Sequence, residues 1–359
     1  MRLNWYGGEI KMKVSFIIPV YKVESYLEQC IDSVLEAWKK EREVIFILGD
    51  RTDSGFSICE RYQKKEKGIS LWVQDGRGLS NARNFGLKKA TGDYVLFIDG
   101  DDYICSRALK KRLFLLERME KQAKQKIDVW VSDFYFIYGE SGRIKGSGQI
   151  EKKAGIWIEK RGKEREEKRK DAFLKAPGSI WNVWRYIYRT DFLRSHSLTF
   201  LENTANEDVL FTTRVFLEAE EIAYLHLPYY CYRVRRDGAL TTRIGKKEIE
   251  DFLNIIEESV RIVEKLENNR RAMLLKEKLQ REYLLNLPLL YEVEKGDRKQ
   301  TGYAIWESRW ILKRAERFYG RFFYWWIQNF GVEGLAACFY RIREIRRKSS
   351  GIYKKFPEI

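Results

Sequence analysis

The stretch VSFIIPVY, beginning at Val14, is apolar almost throughout and reads as a buried strand ended by Pro19. Apolar residues then recur at helical spacing over 26–38, so the opening unit is strand, loop, helix. A second apolar run at 44–48 is closed by the turn-rich GDRTDSG, and 56–62 opens another helical stretch with Ile58 and Cys59 toward the core. A third short strand follows at 70–73. QDGRGLSNARNFGLKKATGDY supplies a Gly-rich loop and an amphipathic helix, and YVLFIDGDD is a strand running straight into an acidic cluster. Strands alternating with helices predict an α/β fold on a mainly parallel sheet. In such sheets ligands bind beyond the carboxyl ends of the strands, so the loops 21–25, 49–54 and 99–102 are expected to converge.

Farther along, 107–126 has the pattern of a charged helix and 129–138 that of another strand. Residues 151–171 are dense in Lys, Arg and Glu, which predicts a solvated helix or insertion with no chemistry of its own. NEDVLFTTRVFLEA reads as a helix carrying Asn206, Glu207 and Asp208 in its first turn, where acids suit the helix dipole. The segment 222–233 is expected to be extended and interrupted by Pro228, with the basic loop RVRRDGALTTR after it. From 246 onward the pattern is helical, with Pro288 the only proline before the final few residues.

A chain of 359 residues with 44 % apolar and 14 % aromatic residues has ample core for about two domains, which excludes a disordered protein. The formal charge of +16 favours polyanions, nucleotides or anionic lipid as partners. The longest stretches free of Asp, Glu, Lys and Arg are eleven residues, 222–232 and 322–332, against about 20 for a spanning helix. The first fifteen residues lack an apolar signal core, so a cytoplasmic location is expected. Five cysteines without C-x-x-C spacing argue for reduced core thiols rather than disulfides or zinc. With His196 and His226 the only histidines, chemistry must rest on carboxylates and cations.

KVSFIIPVYKVESYLEQCIDSVL, TDSG and GRGLSNARNFGLKKATGDYVLFIDGDD, in this order, resemble the family 2 glycosyltransferases of the GT-A fold, among them bacterial capsular, exopolysaccharide and cell-wall sugar transferases. The likeness is strong over 13–109 and extends loosely through NEDVLF and YYCYRVR to about 242. It implies a GT-A domain at 12–243, with a donor half at 12–125 and an acceptor half at 126–243, followed by a helical region at 244–359. It further implies an inverting transfer from a nucleotide-diphosphate sugar, UDP-sugar favoured, to a hydroxyl of a lipid-linked or polysaccharide acceptor. No nucleic-acid partner is expected on this reading.

The same resemblance assigns Mn2+ or Mg2+ to the DxD-like cluster, with Asp101 the leading ligand, Asp99 sharing the metal or meeting the ribose, and Asp102 orienting them. A divalent cation there neutralises charge on a leaving diphosphate. An ordinary acidic turn after a strand is the plain alternative. Pro19, Tyr21 and Glu24 are expected beside the nucleobase. The family commonly has two adjacent acids and then Gly-Ser-Thr-Asp in the second loop, where this chain reads Leu48-Gly49-Asp50-Arg51-Thr52-Asp53. Asp50 or Asp53 is therefore expected at the nucleotide, unless Asp53 caps the next helix. Arg83 is expected to direct a cation at the nucleotide or its phosphates, and Arg233, with Arg235 and Arg236, to close over the diphosphate. Asp75 and Arg77 are weaker candidates. The general base is expected to be Asp208, with Glu207 second, since an alcohol attacks well only as its proton leaves. Trp181 and Trp184 are either an acceptor platform or core.

Residues 313–359 carry eleven Lys and Arg against four Asp and Glu, a net +7, beside Phe322, Phe323, Trp325, Trp326 and Phe330. This composition predicts either peripheral attachment to an anionic inner leaflet, each cation adding about 1 kcal/mol, or a helical cap with a basic outer face. The other readings are a degenerate family member without catalysis and a non-enzymatic basic protein that binds anionic membrane or nucleic acid.

Overall fold

The computed structural model describes residues 12–39, 41–123, 126–138, 143–146, 173–174, 179–234, 244–266 and 269–349. Its sheet begins with four parallel strands, β1 (Val14–Val20), β2 (Arg42–Leu48), β3 (Ile69–Val73) and β4 (Tyr94–Phe97), in the spatial order β3-β2-β1-β4. Phe16, Ile17 and Ile18 are all buried, so β1 is covered on both faces, as a central strand of a parallel sheet must be. Three helices, α1 (Glu24–Ala37), α2 (Gly55–Lys65) and α3 (Gly78–Lys89), connect these strands. In α1 the residues Leu27, Cys30, Ile31, Val34 and Ala37 form the buried stripe. Gly86 lets α3 approach β1 closely, because a Cβ at that position would run into Ile17.

Five more strands extend the sheet to nine: β5 (Tyr103–Ile104), β6 (Val129–Tyr138), β7 (Arg143–Gly146), β8 (Tyr186–Arg189) and β9 (Ile222–Val234). The pairs β4–β8, β6–β8, β6–β7 and β5–β9 are antiparallel, so the parallel half ends at β4. Pro19 lies inside β1 rather than ending it. Ile17 points its carbonyl toward β4 and accepts from Ile98, and the ladder with β4 stops there, so Pro19, two residues on, has no donor to supply. Pro228 likewise leaves β9 unbroken, where an interruption was expected. The insertion at 151–171 and the basic loop at 235–243, with Arg235 and Arg236, lie outside the described residues.

The chain forms two compact units. The first falls within Met1–Lys170, Asn182–Asn203 and Glu218–Arg233, and the second within Asp171–Trp181, Thr204–Leu217 and Val234–Ile359. The segment carrying Glu207 and Asp208, expected with the sheet, thus clusters with the C-terminal helices. Its anchors within the second unit are specific. Arg271 Nη1 donates to the Phe216 carbonyl at 2.8 Å, Ala205 N–H to Asp251 Oδ2 at 3.2 Å, and the Phe173 and Phe216 rings lie 5.6 Å apart. The main helices of this unit are Lys246–Glu264, Arg270–Asn286, Arg298–Glu307, Phe318–Phe330 and Glu333–Ser349. Cys30, Cys59 and Cys231 are buried thiols, Cys105 is half-buried and Cys338 exposed, and none is paired.

One buried cation ties α4 (Ser106–Ala123) to the antiparallel strands of the first unit. Arg112 is fully buried and donates to the carbonyls of Val131, Leu225 and Leu227 and to Ser132 Oγ. Burial lowers its pKa to about 10, which leaves it charged at neutral pH. Arg112→Met should strand these acceptors and cost about 3 kcal/mol, read as a lowered denaturant midpoint. An unchanged midpoint would refute this role.

Candidate active site

β1, β2 and β4 run in the same direction, so the loops that follow them leave from one edge of the sheet. Two contacts lock these loops together. Asp53 accepts the Lys22 N–H at 2.9 Å through one oxygen and the Gly55 N–H at 2.8 Å through the other, joining the first loop to the start of α2. Gly100 packs against the first loop, where a Cβ would lie 2.9 Å from Val23 Cγ2 and 3.1 Å from the Pro19 carbonyl oxygen, so the close approach requires glycine.

The acidic cluster sits on this edge in a dense set of donors. Arg83 Nη2 contacts Asp99 Oδ1 at 3.0 Å, and the Arg83 side chain is only 2 % exposed. The guanidinium also lies over the Phe200 ring, 5.3 Å from its centroid. Arg83, expected to direct a cation at the nucleotide or its phosphates, is here buried and paired with Asp99, fixing where that carboxylate points. The Asp99 N–H donates to Tyr230 Oη at 3.1 Å, and the same hydroxyl donates to Asp102 Oδ2 at 2.8 Å. Asp102 is buried, and its second oxygen accepts the Arg233 N–H at 2.7 Å. Burial, helped by the charge of Asp99, raises the Asp102 carboxyl well above the usual carboxylate range, against the pull of the Arg233 N–H and the Tyr230 hydroxyl.

Arg233 is held beside Asp101. Its Nε donates to the Asp101 carbonyl at 3.0 Å, its Nη2 to Gln29 Oε1 at 2.6 Å, and its guanidinium lies 4.7 Å from the Tyr26 ring centroid and 5.4 Å from that of Tyr103. Asp101, Asp99 and Arg233 thus share one small region of the sheet edge. Among the described residues no three His, Cys, Asp or Glu side chains converge as a metal cage. The donor set still fits a hard divalent cation, because Asp99 and Asp101 offer only oxygen and such a cation completes its shell with phosphate oxygens and water.

The remaining expected contacts are placed as follows. Tyr21 is exposed, with Lys22 Nζ 5.1 Å from its ring centroid; Pro19 is half-buried, and Glu24 is exposed at the start of α1. Asp50 is exposed and accepts from the N–H and hydroxyl of Thr52, which lower its pKa. Asp75 and Arg77 are exposed. Within the second unit Glu207 is buried and Asp208 half-buried in the first turn of the helix Glu207–Glu218. Neither tryptophan offers an open face. Trp184 is stacked against Tyr230 at 4.3 Å and Tyr232 at 5.3 Å. Trp181 is buried in the second unit with its Nε1 donating to Glu282 Oε2 at 3.1 Å. Of the two roles expected for them, acceptor platform or core, both tryptophans are packed as core in this structure.

Sequence reasoning missed Tyr230, Asn81 and Asn84. Asn84 is buried, accepts the Phe200 N–H at 2.8 Å, and donates to the Phe200 carbonyl at 2.9 Å and Glu202 Oε1 at 3.0 Å. Asn81 donates to Glu202 Oε2 at 3.2 Å. One face of α3 thereby fixes both Asp99 and the segment 200–202. The alternation in YYCYRVR, which puts Tyr230 and Tyr232 on one face of a strand, was a readable signal for Tyr230. Nothing in the sequence singles out Asn84.

Residues 15–186 match the model of Glycosyl transferase family 2. The chain is 32 % identical to the glycosyltransferase EpsJ of Bacillus subtilis (strain 168) over 242 residues, 67 % of this chain and 66 % of that protein. The chain belongs to glycosyltransferase family 2. It is 30 % identical to the poly(ribitol-phosphate) beta-N-acetylglucosaminyltransferase TarS of Staphylococcus aureus (strain MW2) over 232 residues, 63 % of this chain but 36 % of that protein. The crystal structure of S. aureus TarS 1–349 in complex with UDP-GlcNAc superposes with a TM-score of 0.67 at 22 % identity, covering 94 % of this chain and 92 % of that one. A mannosyltransferase from Pyrobaculum calidifontis, solved with GDP-Man and Mn2+, gives a TM-score of 0.53 at 14 % identity over 99 % of this chain and 92 % of that one. These likenesses identify the fold as GT-A-like, with a helical C-terminal region, and the family makes this chain a glycosyltransferase.

Two outcomes follow from the geometry of this family 2 site. Tyr230→Phe retains the stack on Trp184 and removes the hydroxyl between Asp99 and Asp102; a loss of about 2 kcal/mol is expected in urea unfolding, and no loss would mean the hydroxyl is dispensable. Glu202 is held below the usual carboxylate range, first by Asn84 and then by Asn81. A lowered folded-state pKa adds stability that is complete above the ordinary value of 4.5 and is lost as pH falls through the folded value. The stability gap between wild type and Glu202→Gln should therefore narrow on acidification from neutral pH, modestly because Glu202 is exposed, and a gap that widens contradicts the assignment.

Proposed function

We propose that this glycosyltransferase moves a sugar, with inversion, from a nucleotide-diphosphate donor to a hydroxyl of a lipid-linked or polysaccharide acceptor. The observation that carries the reading is that the first strand-end loop is joined to the second through Asp53 and to the acidic turn through Gly100, with Arg83 holding Asp99 and Arg233 beside Asp101. UDP is the favoured nucleotide, supported by the UDP-GlcNAc complex of TarS, and a cell-wall or extracellular polymer is the favoured acceptor, supported by the poly(ribitol-phosphate) named for that relative. Such an acceptor is met at the inner face of the cell membrane, so cytoplasmic placement with peripheral attachment belongs to the same reading. No helix among the described residues is long and apolar enough to cross a membrane.

In the proposed reaction the acceptor oxygen attacks the anomeric carbon from the face opposite the diphosphate. The bond from that carbon to the diphosphate oxygen breaks with its electron pair, and the hydroxyl proton passes to the Asp208 carboxylate, with Glu207 as the second candidate. Asp101 and Asp99 would hold Mn2+ or Mg2+, which when bound neutralises charge on the diphosphate. Arg233 offers a fixed cation near the same position, the kind of preorganised charge that favours a developing anion. Pro19, Tyr21 and Glu24 would flank the base, with Asp50 the more exposed of the two second-loop carboxylates, Asp53 being engaged by two backbone N–H groups.

The test is calorimetry against UDP-, GDP-, CMP- and dTDP-sugars with and without Mn2+. One donor should bind in a metal-dependent way, and Asp101→Ala should abolish that binding. Asp208→Asn should keep donor affinity and lower turnover about a hundredfold or more. Folded protein that binds none of these donors would remove the reading.

A further inference from the structure

The helix Phe318–Phe330 buries Gly320 and Ile327 fully and Phe323, Tyr324 and Trp326 in part. Along its outer side Phe318, Phe322, Trp325 and Phe330 are all exposed, Phe318 by 77 % and Trp325 by 52 %. Their rings touch in sequence, with centroids 6.5 Å apart from Phe318 to Phe322, 6.2 Å from Phe322 to Trp325 and 5.5 Å from Trp325 to Phe330. They form a continuous apolar ridge on a 13-residue helix, about 20 Å long. The next helix, Glu333–Ser349, packs beside it through Phe339 against Phe323 at 5.5 Å. It exposes Ile342 and Ile345 on the same stripe as Cys338, at spacings of four and seven residues. An exposed surface of this kind is costly in water and marks a contact.

The charges around the ridge identify what it contacts. Lys313, Arg314, Arg321 and Arg341 are exposed nearby, and over 313–348 nine Lys and Arg face three Asp and Glu. A second copy meeting this face about a two-fold axis would bring like charges together. A nucleic acid would find rings for its bases, but Ile342 and Ile345 offer no face for stacking. An anionic lipid surface satisfies both features: rings and isoleucines enter the boundary between headgroups and acyl chains, and cations meet the phosphates.

We propose that the outer face of these two helices is an anionic-lipid-binding surface that lies flat on the bilayer. The inference stands on residues remote in sequence from the donor loops, so donor binding and lipid binding can fail separately. The experiment is co-sedimentation of the full chain with phosphatidylcholine vesicles, with and without phosphatidylglycerol. Binding is expected only with the anionic lipid and should weaken with salt. Phe322→Ser with Trp325→Ser should reduce the bound fraction about tenfold. Arg314→Glu with Arg321→Glu, which leaves the apolar ridge intact, should reduce it as well. Circular dichroism and donor calorimetry establish that the variants fold. Absence of binding to anionic vesicles by folded wild type overturns the proposal, as does binding that neither variant alters. Light scattering that shows a dimer dissociated by the aromatic variant, or competition in which single-stranded DNA is retained and vesicles are not, would assign the face to those partners instead.

Discussion

A carboxylate at the end of a central strand needs a partner, and Arg83 is the partner for Asp99. The guanidinium is almost fully enclosed, lies over Phe200 and reaches from α3 to the acidic cluster, so helix, strand end and cluster cannot move independently. Several features depend on this constraint. Gly86 is needed because α3 must press onto β1. Tyr230 is needed because the Asp99 backbone and the buried Asp102 require a group that accepts on one side and donates on the other. Low local dielectric strengthens each of these contacts and makes an unpaired member expensive, which gives the cluster one arrangement rather than several.

The parallel half of the sheet was legible because its strands are short, apolar and separated by helices of clear period, and because DGDD follows YVLFI without a break. The antiparallel half was less so. Pro228 was read as a break because the argument from a missing N–H holds only where the sheet requires that donor, and pairing partners are not visible in one sequence. Arg83 was read as a cation directed at the nucleotide; its helical period was legible, whereas its contact with a carboxylate sixteen residues away is set by packing. Trp181 and Trp184 illustrate the converse. An aromatic residue next to a polar helix start has the same sequence signature whether its face is open or stacked against two tyrosines.

Asn84 and Glu202 were illegible for a simpler reason. A buried amide that serves three polar groups across more than a hundred residues carries no local pattern, because its value depends entirely on what the fold brings beside it. The two compact units make the same point on a larger scale. Composition places a boundary near 244, while contacts assign 204–217 to the helical unit through Arg271, Asp251 and Phe173.

The chain passes back and forth between these units five times before its C-terminal helices. A single cut at residue 234 would therefore part Phe216 from Arg271 and the segment 204–217 from the helices it clusters with. The C-terminal helices cannot be transplanted as one contiguous piece with all their packing partners, because the helix bearing Glu207 and Asp208 lies upstream, between two segments of the first unit.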